Sequence, residues 1–366
     1  MVYSIRDIVS ALETLAPPAY QESYDNAQLI TGNASDAVKG ILCTLDVTEE
    51  VVQEAIDRDC NMIVAHHPIV FKGLKSLTGR NYVERTVIKA IKNDIAIYAI
   101  HTNLDHVQHG VNKRICDRLG LINTRILAPK PSLLMKLTTF IPIEQTDQVM
   151  QALDQAGAGK IGNYSSCSFQ VAGTGTFMPS EEANPTIGRR GELERVAEHR
   201  VEVMFPSHLK NKVLHALKEA HPYEEVAYYL QSLDNDNQEV GAGMVGELEN
   251  AMGEVDFLLY LKKRMDLKVL KHTALSGKQI KKVAVCGGAG IFLLPDAKRA
   301  KADIFITADV KYHEYFDAEN QLVIADIGHY ESEIHTKELL MEFLSQKFSN
   351  IALYLTKIVT NPITYL

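Results

Sequence analysis

The apolar residues of the first hundred positions alternate between helical and strand-like spacing. Apolar side chains that recur every three or four positions predict amphipathic helices over Ile5–Leu15 and Tyr82–Asp94. Short, almost unbroken apolar runs at Gly40–Asp46, Met62–Ala65 and Ile95–Ile100 predict strands that are covered on both faces. Strands that alternate with helices in this way are typical of an α/β fold with a mostly parallel sheet.

The pattern changes near Pro129. We expect two helices among four strands in the middle of the chain: strands at Leu134–Ile141, Tyr164–Phe177, His199–Phe205 and Glu225–Leu230, and helices at Thr146–Ala156 and at Leu209–Ala220, the latter capped by Ser207. This order resembles a ferredoxin-like α+β domain. An Asp- and Asn-rich stretch, Ser232–Gln238, reads as its exit linker. The sequence thus predicts an inserted domain over residues 129–233 that splits an α/β body into residues 1–128 and 234–366.

The α/β pattern resumes after the insertion. The predicted elements are helices over Val255–Met265 and from His329 to about Lys347, and strands at Val283–Cys286, Ile304–Thr307 and Gln321–Ile327. A chain of 366 residues with 46% apolar and 23% charged residues has ordinary globular composition, with room for two or three domains.

Charge and cysteine content narrow the function classes. A net charge of −8 argues against a general nucleic-acid binder, because such a protein needs a basic face to neutralise phosphates. The five cysteines have no paired metal-ligand spacing, as expected of thiols in a reducing compartment. We find neither a signal peptide at the amino terminus nor an apolar stretch long enough for a membrane span, so we expect a cytoplasmic protein.

Two adjacent histidines, His66 and His67, follow the strand Met62–Ala65. The carboxyl edge of an open α/β sheet is where such folds place their ligands. Neighbouring strand residues point to opposite faces, so one ion per histidine is easier geometry than one shared ion unless the backbone kinks before Pro68. Taken alone, the pair has an alternative interpretation as one packed core histidine and one loop histidine.

A second polar cluster, His101–Gly110, follows the strand Ile95–Ile100 and contains Asp105. The ends of neighbouring strands converge on one rim of a doubly wound sheet, so this cluster is expected near His66 and His67. A carboxylate among imidazoles suits zinc, iron, manganese or nickel better than magnesium or calcium. Without the histidines, Asp105 would read as an ordinary capping or loop carboxylate.

A third pair, His329 and Glu333, is spaced four residues apart at the start of a predicted helix. This spacing places the two side chains on one helix face, about 5–6 Å apart at Cβ, where they can share a metal centre. A solvated helix face would show the same pattern. The metal interpretation therefore depends on the conjunction of all three groups at strand ends and helix starts.

Three further stretches favour structural roles. The run His221–Glu225 lies at a helix-to-strand turn, where a structural or interdomain role is expected ahead of catalysis. Gly173–Thr176 reads as a strand bend. Gly287–Gly290 lies between a strand and a helix and can present amides to an anion, but it lacks the rest of a phosphate fingerprint and favours a tight turn.

Four motifs in order resemble the Nif-three-like dinuclear metal-centre family, whose members are often labelled GTP cyclohydrolase 1 type 2 homologues. The motifs are Ala65–Phe71, His101–Asp105, Asp309–His313 and Gly328–Glu333. The resemblance covers essentially the whole chain, including the insertion. The chain departs from the family pattern at Ala308 and in the run Tyr24–Ala27, and neither departure touches an expected ligand.

The resemblance implies a two-metal site and an assembly. Its ligands would be His66, His67, Asp105, His329 and Glu333, with Glu333 as the bridge. It also implies a toroidal homohexamer whose sites face an internal cavity, and an insertion similar to trimeric signalling and copper-tolerance domains.

The function expected from this site is metal-dependent hydrolysis. Two ions about 3.5–4 Å apart activate water near neutral pH and polarise a carbonyl or phosphoryl oxygen. Ring opening of a GTP-like nucleotide is the leading reaction, with His101 and His313 as candidate proton donors or as groups that orient the ligands. The alternatives are a phosphoester hydrolase and a non-catalytic metal-binding assembly or regulatory protein.

Overall fold

A computed structural model describes residues 2–366. They divide into two compact units. The larger unit contains the residues up to Ala128 together with Val240–Leu366, and the smaller unit is Pro129–Glu239.

The helices are, in chain order, α1 Ile5–Leu15, α2 Glu49–Asp57, α3 Tyr82–Lys92, α4 Thr102–His106, α5 Val111–Arg118, α6 Thr146–Gln155, α7 Lys210–Ala220, α8 Glu254–Arg264, α9 Leu294–Arg299, α10 His329–Glu333 and α11 Thr336–Lys347. Short 3₁₀ turns lie at Pro18–Tyr20, Ile143–Gln145, Ser207–Leu209, Ile291–Leu293 and Tyr312–Ala318. Each of these helices, within residues 2–366, falls short of the length or the apolar character that a bilayer crossing requires.

The strands are β1 Leu29–Thr31, β2 Gly40–Thr44, β3 Met62–Ala65, β4 Ala96–Ala99, β5 Ile122–Lys130, β6 Leu134–Pro142, β7 Phe169–Phe177, β8 Glu194–Pro206, β9 Tyr228–Leu233, β10 Asn237–Gly253, β11 Lys271–His272, β12 Gln279–Val285, β13 Ile304–Thr307, β14 Val323–Asp326 and β15 Ala352–Leu355.

One sheet of the larger unit has the order β1-β4-β3-β2-β15. The four strands from β4 to β15 are parallel, and β1 is antiparallel to β4. Every residue of β2, β3 and β4 is buried, as the unbroken apolar runs predict. Strand β15 comes from the end of the chain and pairs with β2, which joins the two sequence segments of this unit.

The second sheet of the larger unit has the order β11-β14-β13-β12-β10-β5. Strands β12, β13 and β14 are parallel, whereas β10 and β11 run antiparallel to their neighbours. Helices α5 and α8 cover one face through Ile115, Phe257 and Leu261, all buried. The fold class is therefore mixed α/β, as predicted; the first sheet is mostly parallel, whereas the second is mixed.

The smaller unit contains an antiparallel sheet of order β7-β8-β6-β9 and the helices α6 and α7. Its element order, β-α-β-β-α-β, is the one that ferredoxin-like domains have. Alternate residues of β8, including Val201, Val203 and Phe205, pack with Val149 of α6 and Val213 of α7 in the core. The intervening residues of β8 point to the other face of the sheet.

The structure corrects several predicted element bounds. The helix from His329 is two helices, α10 and α11, because ψ at His335 is −4°, away from the α-helical value, and the helical hydrogen-bond pattern breaks between Glu333 and Thr336. The linker predicted at Ser232–Gln238 is shorter than expected and contains residues 234–236, because β9 runs to Leu233 and β10 begins at Asn237, whose buried side chain accepts the amide of Glu239 at 3.0 Å.

In the smaller unit, Ser207 starts a 3₁₀ turn and makes no side-chain cap for α7. Strand β7 begins at Phe169 and not at Tyr164, because Tyr164 is held in a tight turn by two backbone hydrogen bonds to Ile161.

Candidate metal centre

The carboxyl ends of β3 and β4 place His66, His67 and His101 together. Strand β3 ends at Ala65, and the amides of His66 and His67 then bond the carbonyls of Thr44 and Leu45 at 3.3 and 2.9 Å. This bend brings the two rings to a centroid separation of 4.9 Å, and His101 lies 5.2 Å from His66. The parallel sheet thus gathers the three imidazoles at one edge, as strand-end positions predict.

His66 is fully buried and has one nitrogen committed to the backbone. Its Nδ1–H donates to the carbonyl of Ile100 at 2.9 Å, which leaves Nε2 with its lone pair. Nε2 is buried without a hydrogen-bond partner, 3.6 Å from Oδ1 of Asp105. Burial lowers the pKa of His66 to about 3, although the Glu333 carboxylate opposes this shift, so the ring is neutral at physiological pH.

His67 lies between two carboxylates. Its Nδ1 contacts Oδ1 of Asp46 at 2.7 Å, and its Nε2 contacts Oε2 of Glu333 at 2.9 Å. Burial disfavours the charged imidazole, but these two carboxylates outweigh it and raise the pKa of His67 to about 10.

Helix α10 delivers His329 and Glu333 from one face, as the four-residue spacing predicts. His329 Nδ1 contacts Oδ2 of Asp309 at 2.7 Å, and its Nε2 lies 3.1 Å from Oε2 of Glu333. Burial opposes protonation of His329, yet Glu333 and Asp309 raise its pKa to about 9.

Glu333 is the side chain that the other groups share. Its Oε2 lies 2.9 Å, 3.1 Å and 4.0 Å from the Nε2 atoms of His67, His329 and His66. Burial favours the neutral acid, but the imidazoles outweigh it and hold the pKa of Glu333 well below its usual range. Gly288 makes room for this carboxylate, because a Cβ there would lie 2.5 Å from Oε1 of Glu333.

Asp105 lies on the short helix α4, with its Oδ1 buried and without a hydrogen-bond partner. Burial, and then the negative charge of Glu333, raise the pKa of Asp105 well above its usual range. A buried carboxylate oxygen facing an unpartnered imidazole nitrogen is the arrangement that a cation stabilises. This donor set of imidazoles and carboxylates fits a transition-metal ion.

Three groups of side chains have ligand atoms close enough to hold an ion, each group within 4.8 Å. They are His67, His329 and Glu333; His66, Asp105 and Glu333; and His66, His67 and His101. The five predicted ligand residues are therefore brought together, and His101 joins them.

The sequence assigned no role to the carboxylates that contact the Nδ1 atoms of the histidines, and His101 is one example. Its Nδ1 contacts Oδ1 of Asp25 at 2.8 Å, and the amide and hydroxyl of Thr102 bond the second oxygen of Asp25. Burial favours neutral Asp25, but these hydrogen bonds outweigh it and hold its pKa well below the usual range. Asp25, Asp46 and Asp309 thus orient three rings. The available signal was position, since Asp46 and Asp309 closely follow the strands β2 and β13.

Other candidate residues lie in different surroundings. His313 is exposed on the 3₁₀ turn, with its ring against Tyr312 and Phe316. The turn Gly287–Gly290 packs against Glu333 and Cys286, which agrees with a tight turn. His221 donates from Nε2 to the carbonyl of Phe140 at 2.9 Å.

Comparisons with known proteins agree with this geometry. The family model described as Duf34/NIF3 (NGG1p interacting factor 3) matches residues 3–362. A Bacillus subtilis protein named GTP cyclohydrolase 1 type 2 homolog is 38% identical over 99% of this chain and 98% of its own. A Halalkalibacterium halodurans protein of the same name is 40% identical over 98% of each chain.

Solved structures agree on the fold. A crystal structure of a Bacillus cereus protein related to NIF3 aligns with a TM-score of 0.89 at 38% identity and covers 100% of both chains. A crystal structure of a Staphylococcus aureus protein aligns with a TM-score of 0.79 at 30% identity, covering 100% of this chain and 99% of that one. The family resemblance that the sequence motifs predict is confirmed.

Proposed function

This chain belongs to the Duf34/NIF3 (NGG1p interacting factor 3) family, and on that premise we propose that it is a metal-dependent hydrolase. Its centre would hold two divalent ions, and its imidazole and carboxylate donors suit zinc, iron, manganese or nickel. The proposed ligands are His66, His67, Asp105, His329 and Glu333, with Glu333 as the bridge. The proposed substrate is a small anionic molecule of the nucleotide class.

The position of Glu333 carries the proposal. One carboxylate oxygen lies within 4.0 Å of imidazole nitrogens from three histidines. Two of the ligand groups, one with His67 and His329 and one with His66 and Asp105, have Glu333 as their only common member. A carboxylate shared by two ligand groups is what a bridged pair of ions requires.

The chain's own groups prepare the histidines for this task. The Ile100 carbonyl and the Asp46, Asp25 and Asp309 carboxylates each bond the Nδ1 atom of a histidine, so that Nε2 is the atom that binds an ion or exchanges a proton. When bound, a divalent ion lowers the pKa of a coordinated water and polarises a substrate oxygen. His101, backed by Asp25, is the side chain we assign to hold a proton at Nε2 or to complete the ligand set.

The relatives' name suggests the substrate. Several full-length relatives are named GTP cyclohydrolase 1 type 2 homolog, and we extend that activity to this chain as a hypothesis of nucleotide ring opening. The test is incubation of metal-loaded protein with GTP and with a panel of phosphodiesters. Formate release supports ring opening, and phosphomonoester release supports the alternative phosphoester hydrolase.

Glu333→Gln should abolish turnover of whichever substrate reacts. Glu342→Gln, on the exposed side of α11, changes charge in the same way outside the cluster and should leave turnover intact. Metal binding without turnover of any substrate in the panel would contradict the hydrolase proposal and favour a metal-binding assembly protein.

We propose two further properties on the family resemblance: a toroidal homohexamer in the cytoplasm, and a ferredoxin-like fold for the inserted unit. The β-α-β-β-α-β order and the antiparallel sheet β7-β8-β6-β9 support the second. Light scattering of the purified chain tests the first, and a mass other than six times 40.7 kDa would contradict it.

A further inference from the structure

A cavity of about 790 Å³ lies within the smaller unit, on the face of its sheet opposite the α6 and α7 core. Glu198 and Arg200 of β8 line it; they alternate with the core residues Val201 and Val203 and therefore point the other way. Its volume falls in the range of roughly 300–1,000 Å³ that small-molecule sites occupy. None of the proposed metal ligands lines the cavity, because they lie in the larger unit.

The cavity brings together two sequence runs that the metal centre leaves unexplained. Residues 173–176 form its floor on β7, and residues 223–225 of the run His221–Glu225 form part of its wall. His221 fixes this wall: its Nε2–H donates to the Phe140 carbonyl at 2.9 Å, and its Nδ1 accepts the amide of Tyr223 at 3.1 Å.

The loop after β7 covers the cavity and is tied to the same wall. The amide of Asn184 donates to Oε2 of Glu224 at 3.0 Å, and the hydroxyl of Thr186 donates to the Pro222 carbonyl at 2.8 Å. Because wall and cover are bonded to each other, the cavity is preformed.

Aromatic rings form the apolar surface of the cavity. Phe177 meets Tyr223 edge-on with ring centroids 5.6 Å apart, and Phe140 meets Tyr229 at 5.9 Å. Such rings favour a flat ligand, which gains stacking and edge contacts on entering.

Glu198 supplies the polar recognition group. It is 6% exposed, and its Oε1 accepts a hydrogen bond from the Tyr223 hydroxyl at 2.7 Å. Its Oε2 lies over Gly175, where a Cβ would come within 2.1 Å of that oxygen. One oxygen is therefore fixed by the protein, while the other remains available to a ligand that donates hydrogen bonds.

The charges that line the cavity favour a cation. Three carboxylates, Glu198, Glu224 and Glu225, face one guanidinium, that of Arg200, which is itself bonded to Glu202 at 2.6 Å. A buried carboxylate binds charged donors more strongly than neutral ones.

We propose that this cavity binds a small planar molecule whose edge carries N–H donors, of the amidine or amino-heteroaromatic class. The donors bond Glu198, and the ring stacks between the aromatic side chains. This is a second ligand site, in addition to the metal centre.

The test uses the full-length protein and benzamidine as the probe, with titration calorimetry as the readout. We expect one benzamidine per chain, with at least tenfold weaker binding of benzoate, which has the same shape but the opposite charge. Glu198→Gln preserves the size of the side chain and should weaken benzamidine binding at least tenfold.

Two further variants separate recognition from folding. Gly175→Ala introduces a methyl group into the space of the Glu198 carboxylate and should also weaken benzamidine, while the far end of Glu198 can shift without unfolding the sheet. Glu219→Gln, an exposed position of α7, removes the same charge outside the cavity and should bind benzamidine like the unaltered chain.

Several results would overturn the proposal. They are equal binding of benzamidine and benzoate, undiminished benzamidine binding by folded Glu198→Gln, and absence of benzamidine binding because another copy of the chain covers this face. Loss of metal from the protein would leave the benzamidine result unchanged, so the two proposals fail separately.

Discussion

The buried carboxylates Glu333, in the larger unit, and Glu198, in the smaller unit, have contrasting neighbours. Glu333 is 3% exposed and Glu198 is 6% exposed. Oε2 of Glu333 contacts imidazole nitrogens at 2.9 and 3.1 Å, whereas Glu198 has one hydrogen bond, from a phenol at 2.7 Å. Glu333 is surrounded by groups that are themselves anchored by further carboxylates, while Glu198 is surrounded by aromatic rings.

The surroundings of each carboxylate determine which ligand it can bind. The imidazoles around Glu333 compensate its charge in the metal-free protein and hold its pKa well below the usual range. Metal ions that replace the protons of these imidazoles also balance the negative charge of Glu333, so the cluster is suited to metals. The surroundings of Glu198 offer little positive charge, so a ligand has to bring it.

The largest expected effect is the loss of metal when the shared carboxylate is removed. Glu333→Ala takes one ligand from each of two groups, so we expect the metal content to fall from the proposed two ions per chain to well below one. Elemental analysis after dialysis measures this. Glu198→Ala should retain both ions; a Glu333→Ala protein that also retained two ions would refute the bridging role.

The next effect tests the carboxylates behind the histidines. Asp46→Asn keeps a hydrogen-bond acceptor for His67 but removes its charge, and loss of such a partner typically weakens metal affinity about 10–100-fold. Competition with a chromophoric chelator measures the change. Asp117→Asn, at an exposed position within α5, serves as the charge-matched control and should leave affinity unchanged.

The sequence pointed to the proposed ligand residues, which the fold brings together, but not to the carboxylates that bond them. His66–His67 and His329–Glu333 are local patterns, and their types and spacing point to metal chemistry wherever the fold places them. Asp25 bonds His101 across 76 positions, and Asp46 bonds His67 across 21, so only the folded sheet relates them. Asp46 follows β2 closely, but an aspartate after a strand has many possible roles, so its position alone does not assign it to His67.

The fold, like the site, could be predicted where a pattern is local along the chain and not where it depends on distant residues. Helix α1 and strands β3 and β13 have their predicted bounds, because each buries a simple apolar pattern. Strand β15 was missed: it pairs with β2 from the far end of the chain, a contact that no local period encodes. Glu198 was missed for a similar reason, since its burial depends on Tyr223 and on a glycine of another strand.

Protons and metal ions compete for the histidine nitrogens, which gives the third prediction. In the metal-free protein the pKa values of His67 and His329 are raised to about 10 and about 9, so both rings carry a proton at pH 7. A metal ion needs the neutral rings, so binding releases protons and affinity rises as pH increases, roughly tenfold per unit for each proton released, until the pH passes these pKa values.

Calorimetry of zinc binding in two buffers with different ionisation enthalpies counts the released protons. Benzamidine binding to the smaller unit should release none of these protons, because neither His67 nor His329 lines its cavity. Metal affinity that is flat between about pH 7 and pH 9 would contradict the protonated state of the two histidines.

The smallest effect concerns the support of Glu198. Tyr223→Phe keeps the ring but removes the hydroxyl that donates to Oε1 at 2.7 Å, so the buried carboxylate loses its hydrogen bond. Hydrogen bonds to charged groups contribute about 1.5–3 kcal/mol, and we expect the smaller unit to lose stability of about that size.

Because the chain has two units, amide hydrogen exchange of β7 and β8 is a better measure than a single melting temperature. Tyr229→Phe, on the same cavity and 62% exposed, is the matched control and should exchange like the unaltered chain. Unchanged exchange in Tyr223→Phe would mean that its hydroxyl does not support Glu198, and metal content should be unaffected in either variant.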